Sequence, residues 1–146
     1  MNGFKKIFFD TSPLIYFLDA NSIFKSKMDN IFYEILNNEI QFVTSAVTVE
    51  EFLVFPYRNE DDSAIESFWT FINEGNVNVI KIDNAIAIEA AKIRAEYRHI
   101  KTADALQLAA AVCSGCDVFL TNDKQLKQFE KISCVTVDEW TNFFKT

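Results

Sequence analysis

The sequence predicts an α/β fold of three layers, with a central, mainly parallel sheet of about five strands flanked by helices. Three observations predict it. Short apolar runs of strand length alternate with stretches of helical spacing along the whole chain. One of the runs, Ile7-Phe8-Phe9, is apolar at every position, as suits a buried strand. One helical stretch, residues 103–113, is apolar on nearly all sides and therefore belongs in the interior.

Each element has its own signal. The first strand, 7–9, gives way to Asp10, Thr11 and Ser12, and Pro13 suits the first position of a helix through Leu18 because its missing N–H would be unbonded there anyway. Asn21-Ser22 breaks the chain. A helix over 23–36 follows, with Phe24, Met28, Ile31, Phe32, Ile35 and Leu36 at helical spacing. Residues 40–44 read as the second strand, and Ser45 as the N-cap of a helix over 46–55 that stops at Pro56. A polar turn at 59–63 precedes a helix over 64–73, which ends near Gly75. Alternation over 77–82 gives the third strand, and Asp83 caps a helix over 85–98. Thr102 opens the apolar helix, which Ser114-Gly115 closes. A fourth strand at 117–121, a short helix at 124–129 and a fifth strand at 133–137 follow. Asp138 begins a last helix carrying Trp140, Phe143 and Phe144.

Composition narrows the function classes. The 146 residues suit one domain spanning 1–146, and a hydrophobic fraction of 49% provides a real core. No apolar run approaches the roughly 20 residues of a membrane span. The first strand begins within a few residues of Met1, so a cytoplasmic protein without membrane association is expected. A net charge of −7 argues against a non-specific nucleic-acid coat, yet leaves room for an acidic site that holds cations. Three cysteines make a poor disulfide framework. Cys113 and Cys116 have C-x-x-C spacing, but they close a helix, where a redox pair would open one, so buried or half-buried thiols are expected. A zinc site would need two more ligands, and His99 is the only histidine.

Several acids need explaining. Asp10 and Asp123 each follow a strand, so both point to the carboxyl edge of a parallel sheet, where ligands bind in open α/β folds. Each also suits a simple helix cap. Asp104 and Gln107 are the only polar residues of the apolar helix, and at i and i+3 they share a face. An ionised carboxylate there calls for a partner, either the helix dipole near solvent or a bound cation. Glu50 and Glu51 follow the second strand, and periodicity leaves open which of them, if either, turns inward. Carboxylates without a histidine cluster or thiolate site suit hard cations such as Mg²⁺ or Mn²⁺, and two such ions suit phosphodiester hydrolysis.

The residues also carry a family likeness. Phe8-Phe9-Asp10-Thr11-Ser12, Ser45-Ala46-Val47-Thr48-Val49-Glu50-Glu51-Phe52, Thr102-Ala103-Asp104-Ala105-Leu106-Gln107 and Phe119-Leu120-Thr121-Asn122-Asp123 stand in order and spacing over essentially the whole chain. With these the chain resembles the PIN domain, and within it the VapC-like toxin ribonucleases of toxin–antitoxin pairs. The resemblance selects Glu51 over Glu50, because the family's acid lies three residues after a Thr. It implies a PIN-like fold and an endoribonuclease dependent on one or two Mg²⁺ or Mn²⁺ ions. Asp10 and Asp104 would be the main ligands, Glu51 and Asp123 would complete the site directly or through water, and Thr121 would orient a water or carboxylate. Asn122 is a weaker candidate. RNA as substrate, a small antitoxin whose tail covers the site, and a homodimer are implied as partners.

Two bound divalent ions would bring the charge from −7 to about −3, so RNA needs local positive charge. Arg94, Arg98, His99 and Lys101 lead into the Asp104 helix, and Lys124, Lys127 and Lys131 lie beyond Asp123; a solvated face is the plainer reading of the lysines. The chain has 15 Phe, and Phe52, Phe55 and Tyr57 or residues 140–144 are candidates for a dimer or antitoxin surface, with core packing as the alternative. Two rival functions stand beside the nuclease. One is a PIN-fold protein that binds metal and a partner or RNA without turnover. The other is an enzyme or receiver phosphorylated at Asp10. The second rival lacks an acid where Ser12 stands and an acidic pair where Lys5-Lys6 stand.

Overall fold

The computed structural model describes residues 3–145. The chain runs β1 (Lys6–Phe9), α1 (Thr11–Leu18), α2 (Lys25–Asn37), β2 (Gln41–Ser45), α3 (Ala46–Arg58), α4 (Asp62–Glu74), β3 (Asn78–Ile80), α5 (Asn84–Glu96), α6 (Thr102–Cys113), β4 (Val118–Thr121), a 3-10 helix (Lys124–Gln128), β5 (Ser133–Thr136) and α7 (Trp140–Lys145). The sheet has the order β3-β2-β1-β4-β5, and every pair is parallel.

The apolar strand runs divide between two cores by the alternation of a strand. Ile7 and Phe9 point to one face of the sheet, where Phe42, Leu120 and residues of α1 to α4 and α7 pack around them. Phe8 points to the other, where its ring stacks on Phe119 at 5.2 Å beneath α5 and α6. The three layers and the mainly parallel sheet therefore stand as the sequence predicts. None of the helices among the described residues is long and apolar enough to cross a membrane.

Topology places the site. From β1 the chain steps to β2 and β3 on one side, then crosses by α5 and α6 to β4 on the other. The strand order reverses between β1 and β4, and the crevice outside their carboxyl ends is the ligand position of such sheets.

Several boundaries differ from the sequence expectation. Helix α1 begins at Thr11, so Pro13 lies within its first turn, where N–H groups have no helical partner in any case. Helix α3 does not stop at Pro56 but continues to Arg58. The proline forfeits one bond, while Asn59 N–H to Phe55 O (3.0 Å) and Asp61 N–H to Pro56 O (2.9 Å) hold the last turn. Asp61 caps Ala64 N–H, which starts α4 inside the expected turn. Strand β3 is an edge strand paired only with β2, and its pairing ends where β2 ends, at Ser45 opposite Ile80. Helix α5 ends at Glu96, short of Arg98, and buried Ile100 carries the chain back into the core. The segment after Asp123 is 3-10, and α7 starts at Trp140, two residues past Asp138. Cys113 is exposed, Cys116 and Cys134 are half-buried, and all three are free.

Candidate functional site

Asp10 is built into the sheet edge from both sides. Its backbone N–H bonds Leu120 O at 2.9 Å, extending the β1–β4 ladder by one residue. Its carboxylate then caps α1, accepting Thr11 N–H on Oδ1 at 2.9 Å. Thr121 at the end of β4 donates its hydroxyl to Oδ2 at 2.9 Å. The residue is 8% exposed. Burial pushes its pKa from the ordinary 3.8 up to about 6; the bonds from Thr11 and Thr121 oppose the shift, and the charges of Asp104 and Glu51 add to it. Cap and candidate ligand are thus one residue.

Glu51 reaches the same region from α3. Ser45 starts that helix by accepting Val47 N–H at 3.1 Å. Two turns on, Glu51 Oε1 accepts the Thr11 hydroxyl at 2.7 Å. Glu50 is exposed and borders apolar surface with Ala46, Val49 and Leu53. Successive helical residues diverge by about 100°, so only one of the two acids faces α1, and it is Glu51.

Asp104 occupies the first turn of α6 and is half-buried. Burial raises its pKa, as do the charges of Asp123 and Glu51, while Lys101 opposes them. Asp123 is exposed, and its carboxylate caps the 3-10 helix at Gln125 N–H, 2.9 Å. Its backbone N–H donates to Thr121 Oγ1 at 3.1 Å, so one hydroxyl accepts from Asp123 and donates to Asp10. Asp104 and Asp123 line a cleft of about 210 Å³ with His99, Lys101, Gln125 and Leu126. A larger groove of about 500 Å³, bordered by Ile15, Leu18, Phe52, Phe55, Pro56 and Ala64, holds none of the four acids. Size does not mark the site; charge and burial do.

The four acids repel one another without a cationic side chain bonded to them. Among the described residues the ion pairs are Lys25–Asp29, Lys27–Asp138, Lys127–Glu139 and Lys131–Glu89, all elsewhere. Two of the lysines beyond Asp123 are thereby engaged. Lys101 and His99 stand on the rim of the cleft, whereas Arg94, Arg98 and Lys124 are exposed and outside its lining. Asn122 turns away, donating to the Tyr16 hydroxyl at 3.0 Å. Of the aromatic candidates, Phe55 and Tyr57 are exposed, Phe52 stacks on Phe68, and Trp140 is buried against Phe4.

An all-oxygen, anionic donor set fits a hard divalent cation by its chemistry. Among the described residues, no group of three His, Cys, Asp or Glu side chains already stands together as a metal cage. The sequence gives no site role to the polar residues behind the acids. Gln107, Ser45, Thr44 and Thr48 are each 1% exposed or less. The available signals were Gln107 as the other polar residue of an apolar helix and Thr48 three residues before Glu51.

Fold and site together define an α/β protein with acids gathered along the carboxyl edge of a parallel sheet. The PIN domain profile matches residues 7–132, and the chain belongs to that family. It is similar in fold to VapBC2 from Rickettsia felis bound to a promoter DNA fragment, with a TM-score of 0.75 and 12% identity over 90% of this chain and 98% of that one. DNA-bound VapBC from Salmonella typhimurium gives a TM-score of 0.70 and 20% identity over 91% and 98%. VapC20 from Mycobacterium tuberculosis, a sarcin-ricin loop cleaving toxin, gives 0.64 and 17% over 87% and 98%. No curated protein sequence matches the chain.

Proposed function

We propose that the protein is a divalent-metal-dependent endoribonuclease that hydrolyses RNA phosphodiester bonds, and the toxin of a type II toxin–antitoxin pair. The observation that carries this reading is Asp10: a buried carboxylate, held from two sides by Thr11 and Thr121, in the field of two further acids and without a bonded cation. Such a group is stabilised by a metal ion. Asp10 and Asp104 are its main holders, and Glu51 and Asp123 complete the site directly or through water. Mg²⁺ or Mn²⁺, as one or two ions, supplies a more acidic water and a counter-charge for the phosphoryl oxygens.

The chain's own groups have separate tasks. Thr121 fixes the rotamer of Asp10 through its hydroxyl. Thr11 fixes Glu51 in the same way. Lys101 on the rim, with His99 beside it, meets the RNA backbone first, and exposed Arg94, Arg98 and Lys124 are further contacts for it. The similar VapBC structures support an antitoxin partner, and exposed Phe55 and Tyr57 offer apolar surface for it or for a homodimer. A cytoplasmic site of action is part of the same proposal.

Cleavage of structured RNA with Mn²⁺ tests the proposal, compared between wild type, Asp10→Asn and wild type with chelator. Loss of cleavage by at least about a hundredfold in both controls is expected. Cleavage that persists in both would sink the mechanism. A second reading is a PIN-fold protein that binds cation and partner or RNA without turnover. Metal binding without cleavage across diverse RNAs would favour it.

A further inference from the structure

Behind the acids lies a chain of hydrogen bonds with a single direction. Ser45 Oγ accepts Val47 N–H at 3.1 Å and gives its proton to Gln107 Oε1. Gln107 Nε2 has two protons. One goes to Thr48 Oγ1 at 2.7 Å. The other faces Asp10 Oδ1 at 3.4 Å and Thr11 Oγ1 at 3.5 Å. Thr11 spends its own proton on Glu51 at 2.7 Å, so in the Thr48–Thr11 contact at 3.2 Å the donor is Thr48. Thr44, placed 3.0 Å from Phe9 O and 2.9 Å from Thr48 Oγ1, fills the remaining acceptor position of Thr48.

The amide of Gln107 has one workable orientation. Reversed, its oxygen would oppose the Asp10 carboxylate, which as an ion only accepts. In the observed orientation one side chain serves both acids from below, Asp10 directly and Glu51 through two hydroxyls. Its 1% exposure leaves no water to substitute. An apolar residue would satisfy the helix packing as well and would need none of these bonds.

We propose that Gln107 is a positioning residue that holds Asp10 and Glu51 in one fixed relation, an inference that rests on the proposed cation-dependent nuclease. It touches neither RNA nor a reacting atom. It acts on Asp10 directly and on Glu51 through Thr48 and Thr11.

The test compares Mn²⁺ affinity by calorimetry and RNA cleavage by steady-state kinetics in wild type, Gln107→Met, Thr48→Val and Thr48→Ser, each checked for folding by thermal melting. Gln107→Met keeps the volume and removes the bonds. Thr48→Val cuts the Thr48 branch of the path to Glu51 and leaves the direct Gln107–Thr11 contact, and Thr48→Ser restores that branch. Weakening of Mn²⁺ binding and of kcat by about 10–100-fold in Gln107→Met is expected, with KM for RNA within about threefold. Thr48→Val should show part of that loss and Thr48→Ser nearly none. If Gln107→Met fails to fold, the Thr48 pair decides. Folded variants that match wild type within about twofold in both readouts would overturn the role, and so would a lowered melting temperature with neither readout changed. A wild type that binds Mn²⁺ but cuts no RNA removes the nuclease reading, while the affinities still decide the role of Gln107; one that binds no Mn²⁺ overturns both.

Discussion

Asp10 carries two costs at once, burial and like charge, and both act on its proton. Its folded pKa of about 6 lies above the ordinary 3.8, so the folded chain holds the proton to higher pH than the unfolded chain does. Between those values the native state binds more protons, and stability falls as pH rises. Below 3.8 the penalty is absent, and above about 6 it is complete, on the order of 3 kcal/mol at most. Asp10→Asn keeps an acceptor oxygen for Thr11 N–H and removes the charge. Its metal-free melting temperature at about pH 7.5 is predicted to exceed that of wild type, and its stability to lose the fall between about pH 4 and 6. Thermal denaturation across that range checks both. An inactive variant that melts higher than its parent is the mark of a site held under electrostatic strain. Asp10 was visible in the sequence because an apolar run stopped at it. The family likeness points to Thr121 as a group that orients a carboxylate, but nothing local points to Gln107, which lies 97 residues away and meets Asp10 only in the fold.

Helix α6 shows how an element serves packing and site together. Ala105, Leu108, Ala109, Ala110 and Ala111 are fully buried against the sheet face that carries Phe8 and Phe119. Asp104 in its first turn and Gln107 one turn on are thereby fixed against the acids by an apolar wedge. Leu108→Ala is predicted to destabilise the protein by about 2–5 kcal/mol, measured by urea unfolding, because small alanines around it cannot collapse into the space. The nearly all-apolar stretch that marks α6 in the sequence matches the helix within a residue at each end. Boundaries differ where one local signal is outweighed by others. Pro56 removes one N–H, yet the carbonyls of Phe55 and Pro56 find donors in Asn59 and Asp61, and the helix runs on to Arg58. The third strand was read too long because alternation does not tell an edge strand from a central one. Glu50 and Glu51 were indistinguishable by pattern, and the packing of α3 on α1 decides between them.

At the scale of the molecule, five parallel strands bring the ends of β1 and β4 together and leave the ends of β3 and β5 at the margins. Residues separated by most of the chain thus share one edge, and a protein of net charge −7 concentrates four of its acids there. Lys101 stands on the rim of that edge, with His99 beside it. Metal binding would relieve the repulsion, so cation and fold are expected to stabilise each other. The most direct test is calorimetric titration of Mn²⁺ into the metal-free protein near neutral pH. Saturable binding is predicted, weakened at least about tenfold by Asp10→Asn and by Asp104→Asn and unchanged by Glu50→Gln. Binding that Asp10→Asn and Asp104→Asn leave intact, or no binding by wild type, would contradict the account.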